Sequence, residues 1–547
     1  MKKPKRLIAL VLATGLVVVS LTGCSSSKTG DAVGLGSPAY NLENVEFPLK
    51  EQVTLNIMTQ SSPLAPQDPN EKLIYKRLQE KTNLKINWTN YTWDEYGEKR
   101  NLDIAAGDIP DAILHAGMSD YDLLKYADQG VIVPIEDLID NYMPNLKKVL
   151  DENPEYRKMI TAPDGHIYSF PWIEELGDGK GRIQTVDCTP WINKAWLDEL
   201  GLPIPTTTEE LQTALKAFKD QDPNKNGKAD EIPMSFIIND GQNDPAYLFG
   251  SFGLGDNWDH TIVDNDGKVI LTAREEGYKN AINYLHGLYK EGLIDAEAFE
   301  QDWNTYLAKG KDNRYGLYFT WDKANITGPG DDYVLLPPLK GPDGTQNVAR
   351  TNGMGFDRGR MVITTANKNL ELTAKWIDEL YNPIQSVQNN WGTYGDDKQA
   401  NIFEYDEENN MLKHLDLNGE APHEIRQKSE VGGPLAILNE YYGKVTTMPD
   451  DAAWRLEQIN TLVPYMYSEN IYPSVFFSKE ELDKLSTIQT DLFDYINRMR
   501  AEWIVNGKAD KDWDAYLKEL DRLGYSQWLE IKQAGYDRTA NNKNLNR

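Results

Sequence analysis

The chain has 547 residues, 40% hydrophobic and 26% charged, enough to bury a large core in two or three domains or lobes at ~100–200 residues each. Its 57 basic and 85 acidic residues leave a formal net charge of −28. That field repels nucleic acid and anionic membrane surfaces and argues against a polyanion-binding role, although a cleft of opposite local charge could still hold one anionic small ligand.

The N-terminus reads as an export signal. Lys2, Lys3, Lys5 and Arg6 precede an almost wholly apolar run from Leu7 to Leu21, which closes on Leu21-Thr22-Gly23-Cys24. A small residue before a cysteine at that position resembles the bacterial lipobox, in which the cysteine is diacylated and becomes the first residue of the mature protein. An ordinary signal peptide with a chance cysteine is the alternative. Loss of Met1–Gly23, which carries four positive and no negative charges, would move −28 to −32. Ser25 to about Asn44 is rich in Ser and Gly and suits a flexible tether. Cys188 is the one other cysteine, so the mature chain can form no internal disulfide. No later apolar run approaches the ~20 residues of a membrane span. The expectation is a monomeric acidic body on a lipid anchor, on the extracytoplasmic face of the cell membrane, as at a Gram-positive surface.

Further along, Val53–Ile57 alternates like a strand, Asn70–Thr82 has helical apolar spacing, and Leu84–Trp88 alternates again. Strand, helix, strand predicts a βαβ unit in an open α/β sheet. A helix stopped by Gly107-Asp-Ile-Pro-Asp111 follows, then the apolar run Ala112–Leu114, continued strand-like alternation over Asp120–Tyr126 and Val131–Leu138, and a short strand over Ile167–Trp172. Trp191–Pro233 holds an amphipathic helix, a proline-set turn, a second capped helix and a loop dense in side-chain oxygens. The C-terminal third is mostly helical by spacing, as over Leu482–Trp503 and Trp513–Leu523.

The oxygen-rich loop offers donors at alternating positions around a glycine: Asp222, Asn224 and Asn226, a backbone carbonyl at Lys228, then Asp230 and Glu231. Hard cations such as Ca2+ require such a set. It begins like an EF-hand loop, but its twelfth position is Pro233 rather than a bidentate glutamate, which argues against an EF-hand helix pair. Three converging carboxylates would repel one another without a cation, and a structural Ca2+ is expected; the alternative is an Asx-rich turn that binds nothing.

Several segments carry a family resemblance. Gly107-Asp-Ile-Pro-Asp111, Asp164-Gly-His-Ile-Tyr168, Gly201-Leu-Pro-Ile-Pro-Thr-Thr207, Leu288–Asp295, Leu336–Gly344 and Trp513–Arg538 fall in the order found in family 1 extracellular solute-binding proteins. These are the lipid-anchored receptors of carbohydrate ABC importers. Within the family, the chain most resembles the alginate-oligosaccharide-binding proteins and lipoproteins of the LplA type. The resemblance implies a two-lobed α/β fold of the class II periplasmic-binding-protein kind, with hinge segments between lobes and extra C-terminal helices. It implies a first lobe over 45–185, a second over 186–352, a return to the first over 353–400, and a mostly helical part over 401–547 completing the second. Crossings are expected near Ile183–Asp187 and Asn352–Thr364.

The same resemblance carries Asp222, Asn224, Asn226, Lys228, Asp230 and Glu231 over to a calcium site. It implies an oligosaccharide held between the lobes and handed to ABC permease subunits. Fourteen Trp and 29 Tyr suit such a ligand, because sugars present flat C–H faces to aromatic platforms and hydroxyls to a polar rim. Trp321, after the strand Tyr315–Phe319, is similar in context to the stacking tryptophan of maltose-binding protein. By the same comparison His115, Tyr247 and Asp187 should face the cleft, with Trp172, Trp258 and Trp391 as further candidates in Pro/Gly-bounded loops.

A surface-anchored glycoside hydrolase or lyase using cleft carboxylates is the competing class. No nucleophile elbow, phosphate loop, HExxH or Cys–His cluster points toward catalysis.

Overall fold

Two strands of alternating pattern, Val53–Ser61 and Leu84–Thr92, pair in parallel along their whole length, Val53 opposite Leu84 and Ser61 opposite Thr92. The helix Leu73–Thr82 joins them, buries Ile74, Tyr75 and Leu78, and ends at Asn83 in the left-handed region. This is the βαβ unit predicted from the alternation, one turn shorter at the helix start. The structure, a computed structural model, describes residues 46–328, 330–398, 401–417, 422–429 and 431–540; the signal sequence, Cys24 and the tether to residue 44 lie outside the described residues. A second helix, Trp93–Ala106, stops at Gly107 (φ 86) and leads into Ala112–Leu114, parallel to the first strand.

The first sheet has six strands in the order Leu435–Ile437, Phe170–Glu174, Phe356–Ile363, Ala112–Leu114, Val53–Ser61, Leu84–Thr92. Phe356–Ile363 is antiparallel to both its neighbours, because it re-enters from the opposite lobe. A second sheet has four strands in the order Tyr333–Leu335, Thr189–Asn193, Tyr315–Thr320, Ile232–Met234. All six residues of Tyr315–Thr320 are buried, as a central strand covered on both faces requires. The two sheets carry separate apolar cores, one around Leu55, Leu114 and Trp376, the other around Leu215, Phe319 and Trp503. This is the two-lobed α/β fold.

In the second lobe, Thr207 caps the helix Thr208–Asp220 by accepting from the Glu210 N–H, and Leu211, Leu215 and Phe218 turn inward at helical spacing. The oxygen-rich loop follows directly. The C-terminal helices close on this lobe. The longest, Lys479–Asn506, has 28 residues, about 42 Å at 1.5 Å per residue. Its capping box pairs Ser478 with Glu481; Leu485, Leu492, Ile496 and Trp503 enter the second core. Its first turn touches the other lobe: Leu482 also packs against the cluster around Leu123 and Ile132, and Lys479 pairs with Asp128. The helix therefore braces both lobes. Among the described residues, no helix is long and apolar enough to cross a membrane.

The chain passes between sheets three times: from Glu174 to Thr189, from Leu335 to Phe356, and after Ile437 through the helix Asp450–Leu462. The segments run together, since the Val348 N–H donates to the Tyr465 carbonyl at 2.9 Å. Gly355 (φ 64) is required where the second crossing meets the first sheet, because a Cβ there would lie 2.0 Å from the Glu174 carbonyl oxygen. One expected boundary is corrected. Residues 401–547 do not go as a block to the second lobe, since Leu435–Ile437 adds a parallel strand beside Phe170–Glu174. The hairpin Phe403–Asp406 and Met411–His414 packs beside it. A three-residue strand after Gly-Gly-Pro carries too little alternation to be read as one.

Candidate functional site

Loops at the carboxyl ends of strands in open α/β sheets are where ligands meet the fold. In the second lobe the segment after Met234 runs to Asn239, Asp240 and Gly241, and the first crossing delivers Asp187 just before the strand Thr189–Asn193. These residues line a cavity open to solvent, together with Trp258, Thr351 of the second crossing and Arg500 of the long helix. Asp187 has no hydrogen-bond or ion-pair partner among the described residues. Burial pushes its carboxyl up to about 7, against the pull of Arg455 and with a further push from Asp259. Trp258 is 67% exposed, the most exposed large hydrophobic side chain among the described residues, beside Gly241, where a Cβ would sit 3.6 Å from the Trp258 Cβ.

The wall behind is built from buried ion pairs. Arg500, 3% exposed, reaches Asp244 at 2.5 Å and lies over the Phe249 ring at 4.9 Å. His260 contacts Asp256 at 3.0 Å, and Thr272 donates to the same carboxylate at 2.5 Å. Burial alone would neutralise His260, but the Asp256 carboxylate outweighs it and holds the imidazole above its ordinary range. Such pairs are costly to bury and costlier to break, so they fix the shape of the wall.

Trp321 follows the strand Tyr315–Thr320 and is half-buried against the cluster around Val387, Trp391 and Leu435 of the opposite lobe. Arg455 stacks its guanidinium carbon 3.7 Å from the Trp321 ring centroid. On the first-lobe side, Trp172 packs on the same cluster and carries Arg360 5.6 Å above its ring. Asn390 Nδ2 donates to Glu174 at 2.6 Å, and Arg426 donates to Asn390 Oδ1 at 3.2 Å. Carboxylates, donors and indoles thus occur on both lobes.

The structure sorts the sequence candidates. Asp187, Trp258 and Tyr247 line one cavity, but Tyr247 is 5% exposed and its hydroxyl donates to the Leu336 carbonyl at 3.2 Å, so its ring belongs to the core. Trp391 ends the helix Pro383–Trp391 and packs on Phe403, His414 and Tyr442; Trp172 lies within a strand. Neither occupies the loop expected for it. His115 follows Ala112–Leu114 at φ 52, its ring so close under Gly432 that a Cβ there would lie 2.4 Å away. Burial, then Arg360 and Lys72, push its imidazole down to about 3, leaving it neutral. Arg455, Arg500, Glu174 and Asn390 were not foreseen. They sit on helices and a strand with no motif around them, and only tertiary packing gathers them.

The oxygen-rich loop lies on the second lobe, between the helix Thr208–Asp220 and the strand Ile232–Met234, and none of its residues lines the cavity. Asp222 accepts from the Asn226 and Gly227 N–H groups at 3.1 and 2.8 Å. Asn226 Oδ1 accepts from the Lys228 N–H at 2.8 Å, while its Nδ2 donates to Asp230 at 2.9 Å. Glu231 Oε1 is buried without a hydrogen-bond partner, and burial, then Asp222 and Asp230, raise its carboxyl. Among the described residues no three His, Cys, Asp or Glu side chains form a ready metal cluster, since the loop mixes carboxylates with amide and backbone oxygens. An orphaned buried carboxylate oxygen beside an all-oxygen donor set fits a hard divalent cation.

The family described as bacterial extracellular solute-binding protein matches residues 65–386. The fructooligosaccharide ABC transporter substrate-binding protein FusA of Streptococcus pneumoniae serotype 4 (strain ATCC BAA-334 / TIGR4) is 60% identical over 98% of this chain and 98% of its own length. The S. pneumoniae FusA structure in complex with kestose superposes with a TM-score of 0.87 at 62% identity, covering 89% of this chain and all of that one. A FusA EF-hand mutant in complex with fructo-nystose gives the same TM-score and coverage at 61% identity. The two-lobed fold, the matched family and these likenesses agree: the chain belongs to the bacterial extracellular solute-binding proteins.

Proposed function

We propose that this protein captures a fructooligosaccharide in the cleft between its lobes, closes about its three crossings, and presents the ligand to the permease subunits of its transporter. The observation that carries the reading is Asp187, an unpartnered carboxylate placed by the first crossing in the same cavity wall as the exposed Trp258. A sugar answers both: its hydroxyls satisfy an acceptor that the protein leaves free, and its C–H faces cover an indole otherwise exposed to water. Closure follows thermodynamically, because a ligand touching both lobes binds the closed form better and draws the population toward it. The similarity to FusA over nearly the whole chain supports the sugar class.

In this reading Cys24 carries the lipid that holds the protein at the cell membrane. Asp222, Asn224, Asn226, the Lys228 carbonyl, Asp230 and Glu231 would hold a Ca2+ whose charge relieves the repulsion among the three carboxylates and pins the loop. Nothing in the cleft depends on it directly. The deciding experiment is calorimetric titration of the mature protein with kestose, fructo-nystose and an unrelated gluco-oligosaccharide, with product analysis alongside. Heat of binding with the two fructans and intact ligand afterwards supports the reading. Absence of binding to either fructan, or depolymerisation of a bound chain, sinks it.

A further inference from the structure

We infer that Arg455 is a positioning residue that sets the plane of the Trp321 indole and ties it to the first crossing. The inference rests on the binding reading above and extends it to Trp321, as a second indole available to a ligand between the lobes.

Arg455 stands on the helix Asp450–Leu462, part of the third crossing, and is 2% exposed. No carboxylate lies within ion-pair distance of it among the described residues. A fully buried cation without a direct counter-ion is expensive, so its surroundings must use its geometry. Its guanidinium carbon lies over one face of Trp321, 3.7 Å from the ring centroid. Nη1 donates to the Trp321 carbonyl and, at 3.3 Å, to Thr189 Oγ1; Nη2 donates to the Val186 carbonyl at 2.5 Å. Thr189 in turn donates to the Thr320 carbonyl at 2.7 Å, and Thr189 and Thr320 are register partners in the second sheet. One planar side chain therefore gathers the open end of a strand pair, the end of a crossing and an aromatic ring.

An indole beyond a strand end, only half-buried against its cluster, keeps rotamer freedom that it would lose on binding unless a neighbour fixes it. A guanidinium stacked on one face removes the freedom beforehand and leaves a ligand only the other face or the edge. Lysine cannot substitute, because an ammonium is a point charge without a planar fork. Because Val186 and Trp321 share one donor group, a hinge movement that displaces the Val186 carbonyl also displaces the ring.

The test uses the mature protein labelled with 5-fluorotryptophan, with the Trp321 resonance assigned through Trp321→Phe. Arg455→Met and Arg455→Lys are compared with the parent by 19F spectra and by titration with kestose well below each variant's melting temperature. The expected result is a shifted or broadened Trp321 resonance in both variants. Kestose affinity should fall about tenfold or more in Arg455→Met, as loss of a desolvated cation–π stack implies. Arg455→Met combined with Trp321→Ala should bind no more weakly than Trp321→Ala alone. An unchanged resonance overturns the inference whether or not kestose binds, and independent, additive losses overturn it where kestose binds. If Arg455→Met does not fold, the Arg455→Lys spectrum decides alone. A parent that ignores kestose fails the binding reading while the spectra still judge this one.

Discussion

The Thr351 N–H donates to the Thr185 carbonyl at 2.9 Å, and the Thr351 hydroxyl donates to the Gln184 carbonyl at 2.6 Å. The outgoing and returning crossings are thereby joined side by side. Interlobe bending must move them as a pair, and the same hydroxyl also accepts from the Gly353 N–H at 3.1 Å. Thr351→Val keeps the shape and removes both side-chain bonds. It should lower stability by about 1–2 kcal/mol, with a carbonyl and an N–H left without that partner. Denaturant melts measure this, and small-angle scattering should show a broader distribution between open and closed forms.

Asp187 predicts a pH dependence of definite sign. Its folded value of about 7 lies above the ordinary carboxylate range, so the folded state favours the protonated form. The associated stability is present in acid and lost as pH rises from about 4 through about 7. Asp187→Asn should therefore melt higher than the parent at about pH 8 and no higher at about pH 4. The same variant should bind kestose more weakly above pH 7, where the parent offers an ionised acceptor. Melts and titrations across that range check both arms.

Trp258 and Trp391 separate platform from core. Trp258→Ala should cost ligand affinity about tenfold and leave the melting temperature nearly unchanged, because a 67% exposed ring contributes little burial. Trp391→Ala removes a buried ring packed on three aromatics and should cost about 3–5 kcal/mol of stability.

Asp244 and Arg500 form a pair with both side chains buried. Arg500→Met should destabilise by about 3–5 kcal/mol, because it strands the Asp244 carboxylate, which burial already pushes above its ordinary value. Removing both charges, as Asp244→Leu with Arg500→Met, should recover much of that loss. Failure of the double variant to recover would locate the cost in packing against Phe249.

Chelation tests the oxygen-rich loop. With EDTA the melting temperature should fall, and added Ca2+ should restore it, by an amount set by the ratio of free ion to dissociation constant. Glu231→Gln, which removes the charge of the buried carboxyl and replaces one of its oxygens by an amide nitrogen, should weaken the response to Ca2+ while leaving kestose affinity in place. No metal on analysis and no shift with EDTA would leave an Asx-rich turn.

The amino-acid order alone determined the elements whose physics is local. Alternation marked strands at Val53–Ile57 and Leu84–Trp88, Gly107 marked a helix stop, helical spacing marked a capped helix before the loop, and spaced oxygens marked the loop at 222–231. The ordered motifs were enough to reach the family, because most are turns or helix ends that sequence specifies by itself. Tertiary structure decided everything that depends on which side of an element faces what. It sent Leu435–Ile437 back to the first sheet and turned Tyr247 and Trp391 inward. It left Trp258 in water and brought Arg455 from a helix onto Trp321 across 134 residues. A tryptophan reads the same in sequence whether it fills a core or waits for a ligand. The difference lies in long-range packing, in which the neighbours come from other crossings of the chain.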